Sequence, residues 1–140
     1  MVRVIMGVKG TGKTKQMIDL INAAVNVENG HVLCLAKDNK LMYDIKSDIR
    51  LVAANEYTIN GYDGLMGFVS GLYASNYDIT HIFIDSLTKV VDCDVDVNAE
   101  KFLDWLDKFS DKNGIKFTVT ISADAEAASE GIKKYFKFYV

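Results

Sequence analysis

A chain of 140 residues suits one domain and is too short for two with independent cores. With 49% hydrophobic and 25% charged residues it has the balance of a globular protein that buries a core without disulfide staples. A formal net charge of −3 gives no global footprint for nucleic acid, and the apolar opening Val2–Met6, interrupted by Arg3, is too short for a signal-peptide core or a membrane span.

Proline is absent, so Gly, Asn and Asp punctuate the chain. Val2 to Met6 reads as a short strand ending at Gly7. From Gly12, the apolar residues Met17, Ile18, Ile21, Ala24 and Val25 recur at helical spacing, and Asn29-Gly30 supplies a stop. His31 to Ala36 is a second strand, continuous in its apolar character. Leu41, Ile45 and Ile49 suggest a short helix. Leu51 to Ala54 suggests a third strand, with Tyr57 to Ile59 as an optional extension. Leu65, Phe68, Val69, Leu72 and Tyr73 share one helical face from about Gly61, and His81 to Asp85 is a strand. Phe102, Trp105, Leu106 and Phe109 share a face of the next helix, with Asn98 as N-cap and Asn113-Gly114 as stop. Ile115 to Ser122 alternates as a strand, a last short helix spans Asp124 to Gly131, and Phe136 to Val140 forms a terminal strand. Strands alternating with helices predict an α/β fold, a mostly parallel sheet covered on both faces.

Gly7-Val8-Lys9-Gly10-Thr11-Gly12-Lys13-Thr14 matches G-x-x-x-x-G-K-[ST] at every position, between a strand and an amphipathic helix as the motif requires. The glycines at 7, 10 and 12 let the backbone turn tightly and present N–H groups to a phosphate at a helix N-terminus. Lys13 is positioned to bridge the β- and γ-phosphates, and the Thr14 hydroxyl to ligate Mg²⁺. Lys9 and Thr11 complete the loop. The expected ligand is a nucleoside triphosphate, with ATP favoured because no Asn-Lys-x-Asp guanine-reading sequence is present.

Such a loop needs a carboxylate at the end of a neighbouring strand to hold the metal's water shell, and Asp85 supplies one. Two strands and at least two helices separate the loop from Asp85. A further strand, Ile115 to Ser122, follows and ends in Thr120 and Ser122, which suits a strand inserted between the other two.

On these two motifs and the order of elements, the chain resembles the RecA/KaiC-type core of P-loop NTPases. The resemblance implies a three-layer fold with a RecA-like strand arrangement and Mg²⁺-dependent ATP binding. Members of that group activate water with a glutamate after the second strand. The matching stretch here is Leu35-Ala36-Lys37-Asp38, so Asp38 is the nearest substitute, either as catalytic base or as a cap of the following turn. A weaker likeness is to short clostridial-type P-loop proteins of uncharacterised role.

Three functions fit: a minimal ATPase with slow intrinsic hydrolysis, working in a homo-oligomer or with a protein partner; a non-hydrolysing switch or accessory subunit; and a small-molecule kinase laid out like type II thymidine kinase. That kinase has an Asp-Glu pair where Asp85-Ser86 stand here, and a cysteine-based zinc lasso without counterpart. The only arginines, Arg3 and Arg50, leave no lid set for a transferring phosphoryl group, so a lysine finger such as Lys133 or Lys134 would have to come from a neighbour. The basic cluster Lys133, Lys134 and Lys137 reads otherwise as a solvated helix end, and Asp92, Asp94 and Asp96 as a solvated acidic loop. Tyr57, Tyr62, Tyr73 and Trp105 read as core aromatics, and His31 and His81 as strand-edge residues. Cys34 and Cys93 form neither a CxxC pair nor a zinc pattern, so free thiols in a reducing, cytoplasmic setting are expected.

Overall fold

A computed structural model of the chain, described for residues 1–136, has one five-stranded sheet with helices on both faces. The strands are β1 (Val2–Gly7), β2 (His31–Ala36), β3 (Arg50–Ala53), β4 (Ile79–Ile84) and β5 (Lys116–Ser122). Every pairing is parallel and the order across the sheet is β1-β5-β4-β2-β3. The strand that comes last in the described chain therefore lies between β1 and β4, as its position and polar end suggested. Phe136 makes a parallel bridge to Val4 on the other edge of β1. The rest of the expected terminal strand, with Lys137, lies outside the described residues.

Alternation along the strands sends side chains to two cores. On one face, Val32, Cys34, Ala36 and Phe83 pack against α1 (Lys13–Val27) through Met17, Ile21 and Ala24. On the other, Leu33, Leu35, Ile82, Ile84, Phe117, Val119 and Ile121 lie beneath α2 (Gly61–Ser75), α3 (Leu87–Val91) and α4 (Val97–Asn113). A short α5 (Glu130–Lys133) adds Ile132 to that second core. Among the described residues no helix is long and apolar enough to cross a membrane.

Several elements differ from the sequence expectation. Leu41, Ile45 and Ile49 are all buried, but only Lys40–Tyr43 winds, as a 3-10 helix. The remainder is a loop whose backbone is held by Asn22 of α1, which donates to the Asp44 carbonyl and accepts from Lys46 N–H. A side chain thus supplies what helical hydrogen bonds would have supplied. Ala54–Glu56 forms a 3-10 turn and Tyr57 to Ile59 is not a strand. Asp96, not Asn98, caps α4: its carboxylate accepts Asn98 N–H at 2.8 Å. The expected helix over 124–131 divides into a 3-10 turn at Ala125–Ala127 and α5. His81 is not a strand-edge residue but is buried, stacked on Phe83 with ring centroids 4.0 Å apart. Trp105 is only partly buried, and Tyr57 is exposed with its ring tilted against Phe68.

Candidate functional site

Gly7 closes β1, and the next five residues form the loop that enters α1. Gly10 and Gly12 have φ of 88° and 84°, left-handed conformations that cost an L-residue about 1–2 kcal/mol. A Cβ at Gly7 would stand 2.8 Å from Thr11 Oγ1. Thr11 Oγ1 and Lys13 Nζ both donate to the Val8 carbonyl, at 2.8 and 2.9 Å, so Lys13 is folded back across its own loop. Gly12 caps α1 without a side-chain hydrogen bond, which leaves the first N–H groups of that helix without partners inside it. Their partial positive charge and that of Lys13 make the loop an anion-binding concavity.

β4 carries Asp85 to its carboxyl end, where Asp85 N–H bonds the Leu35 carbonyl of β2 at 2.8 Å. From the inserted strand, the Thr120 hydroxyl donates to Asp85 Oδ1 at 2.9 Å and accepts Ser86 N–H at 2.7 Å. Ser86 itself sits at φ 57°, an unusual conformation for a residue with a side chain, and turns the chain straight into α3. Burial raises the Asp85 pKa, an effect opposed by the Thr120 hydrogen bond and by the charges of Lys89 and Lys13 and reinforced by Asp38. The Lys13 pKa is lowered by its desolvation, with Lys89 acting in the same direction and Asp85 against it.

These groups share one cavity of about 320 Å³, lined by Lys9, Gly10, Gly12, Lys13, Thr14, Asp85, Ser86, Lys89, Thr120 and Ser122. Three lysines face one carboxylate, so the cavity is net positive. It lies at the carboxyl ends of β1, β5 and β4, the end where open parallel sheets bind ligands. A larger cavity, about 720 Å³, lies between α2 and β2–β3 and is lined by His31, Arg50, Val52, Phe68 and Leu72 among others. Volume favours the second, but the convergent charges and glycine-formed backbone belong to the first.

The structure thus brings together Gly10, Gly12, Lys13, Thr14, Lys9 and Asp85, with Gly7 and Thr11 shaping the loop from behind. Asp38 is not in the cavity lining: its Oδ1 accepts Lys40 N–H at 3.0 Å just before the 3-10 turn, while its charge still reaches Asp85. Lys133 and Lys134 pair with Glu130 and Asp104, on α5 and α4. Asp92, Asp94 and Asp96 hold no metal-ligating cluster among the described residues; Asp94 accepts Tyr62 Oη–H through its carbonyl. Cys34 is a buried free thiol and Cys93 an exposed one. Sequence reasoning missed Lys89, whose only signal was a lysine four residues beyond Asp85.

No protein-family model matches the chain, and no curated protein matches it significantly.

Proposed function

We propose that this chain is a P-loop protein of RecA-like strand arrangement that binds ATP with Mg²⁺ and hydrolyses it slowly. The observation that carries the reading is the meeting of Lys13 and Thr14, at the start of α1, with Asp85, at the end of β4, in one cavity. The strand order supports the RecA-like arrangement, because β5 separates the strand of the glycine-rich loop from the strand of Asp85.

The donor set suits Mg²⁺. Thr14 offers a hydroxyl and Asp85 a carboxylate, both hard oxygen ligands, and Mg²⁺ keeps much of its water while bound by one or two protein oxygens. Thr120 takes Asp85 Oδ1 and no described residue bonds Oδ2, which leaves that oxygen for the metal or its water. Bound there, Mg²⁺ would supply charge neutralisation on the β- and γ-phosphates. The loop N–H groups hold the β-phosphate and Lys13 reaches the terminal one.

Slow turnover follows from what faces the terminal phosphate. Asp38 is engaged at its turn, and Ser86 rather than a carboxylate follows Asp85. That engagement of Asp38 also favours a second reading, a nucleotide-dependent switch or accessory module with negligible turnover. In either case a second copy or a protein partner would supply the missing groups.

The test is titration of a fluorescent ATP analogue into pure protein with Mg²⁺ and with EDTA, alongside phosphate release across protein concentrations. The reading expects saturable, Mg²⁺-strengthened binding and release on the order of one turnover per minute or slower, as in NTPases without a supplied finger. Absence of binding under both conditions would overturn it, and brisk release from dilute monomer would overturn slow hydrolysis.

A further inference from the structure

The G-x-x-x-x-G-K-[ST] pattern names its own lysine, here Lys13, but the cavity contains another cation, Lys89, that the pattern does not predict. Lys89 sits on α3, five residues long and held down by three buried side chains, Leu87, Val90 and Val91. That packing fixes the Lys89 backbone while its own side chain stays exposed on the cavity. Among the described residues it makes no ion pair or side-chain hydrogen bond, whereas Lys116, Lys133 and Lys134 are paired with carboxylates.

The route by which α3 reaches this place is informative. Ser86 takes a left-handed turn that costs about 1–2 kcal/mol for an L-residue, and Thr120 holds its N–H in that turn. Without the turn, the chain leaving β4 would not fold directly over the cavity. Strain of this kind persists where the surroundings over-determine it, and it clusters at functional sites. The turn places Lys89 in the lining of the cavity that also holds Lys13 and Asp85. The Lys89 charge is felt by both Asp85 and Lys13, so all three act on one small volume.

We infer that Lys89 is a second phosphate-binding cation, supplied within the same chain, that contacts the terminal phosphate of a bound nucleoside triphosphate and so distinguishes triphosphate from diphosphate. The inference rests on the nucleotide-binding reading above. The loop N–H groups hold the β-phosphate in either nucleotide and Lys13 bridges it to the γ-phosphate; Lys89 has a ligand only when the γ-phosphate is present. A lysine rather than an arginine makes this contact a point charge on a flexible stem, suited to one oxygen and not to a bidentate clamp.

The experiment measures affinities for ATP and ADP, both with Mg²⁺, by isothermal titration calorimetry on wild type, Lys89→Ala, Lys89→Arg and Lys13→Ala. Loss of one charge-assisted hydrogen bond predicts that Lys89→Ala weakens ATP about tenfold while ADP stays within about twofold. Lys89→Arg, which keeps the charge, should retain most of the preference. Equal losses for both nucleotides in Lys89→Ala, or no loss for either, would overturn the role of Lys89. If wild type binds neither nucleotide, the nucleotide-binding reading falls and this inference with it. If wild type binds both and only Lys13→Ala loses them, that reading stands and Lys89 alone is refuted.

Discussion

The hydroxyl of Thr120 reaches from β5 to Asp85 Oδ1 at 2.9 Å and at the same time accepts the N–H of the next residue, Ser86, at 2.7 Å. One small side chain therefore fixes both the orientation of the carboxylate and the left-handed turn after it. The order β1-β5-β4 lays β5 beside β4 and brings Thr120 level with Asp85. The fold and the site meet at this residue.

Thr120→Val, close to the same shape, keeps the packing but removes both bonds and leaves Ser86 N–H without its acceptor. Unfolding in urea should show a loss of about 1–3 kcal/mol, the usual cost of an orphaned partly buried polar group. Mg²⁺-dependent ATP affinity should fall as well, and Thr120→Ser should restore most of both. Unchanged stability in Thr120→Val would mean that the two bonds contribute nothing net.

Lys13→Ala should abolish triphosphate binding and leave the far-ultraviolet circular dichroism spectrum intact. The ammonium bonds only groups of the loop, the Val8 carbonyl and the Thr11 hydroxyl, so its removal should disturb the loop and not the sheet. Loss of the folded spectrum together with binding would identify Lys13 as a structural residue.

Asp85→Asn keeps the size and the acceptor for Thr120 but removes the charge. ATP affinity measured with Mg²⁺ should drop by about tenfold or more, as for loss of a charged contact, while affinity in EDTA should change little. Equal losses in the two conditions would refute a metal role for Asp85.

Local patterns were the legible part of this protein. The left-handed Gly10 and Gly12, the strand before them and the helix after them were all visible because they depend on neighbours in sequence. The insertion of β5 between β1 and β4 was readable from the polar end of its strand, Thr120 and Ser122. The 44–49 segment misled because its burial matched a helix while Asn22, twenty-two residues before Asp44, took over its backbone hydrogen bonds. Lys89 was invisible for a related reason. Its place depends on a left-handed serine and on a hydroxyl thirty-four residues from that serine.

His81 makes a separate prediction about acid stability. Burial pushes its pKa down to about 4, with Arg3 and Lys116 adding to the effect and Glu28 opposing it. Its Nε2 shares a 2.9 Å hydrogen bond with Thr118 Oγ1, while Nδ1 has no hydrogen-bond partner and lies 3.9 Å from Glu28 Oε2. The folded pKa is below the unfolded value near 6.5, so the unfolded chain binds the proton first as pH falls. The stabilising contribution is therefore intact above about pH 6.5 and is lost progressively towards pH 4. Between pH 7 and pH 5 this one group should cost about 2 kcal/mol in urea-unfolding free energy. His81→Gln should remove that part of the slope; an unchanged slope would show that His81 is not the titrating group.

Amide chemical-shift mapping of isotopically labelled protein with ATP and Mg²⁺ locates where ATP binds. If ATP binds at the glycine-rich loop, the largest shifts fall on Gly10 to Thr14, Asp85, Ser86 and Lys89, the residues around the 320 Å³ cavity, and Lys13→Ala abolishes them. Shifts centred on His31, Arg50 and Phe68, around the larger cavity between α2 and β2–β3, would contradict it, as would no shifts at saturating nucleotide.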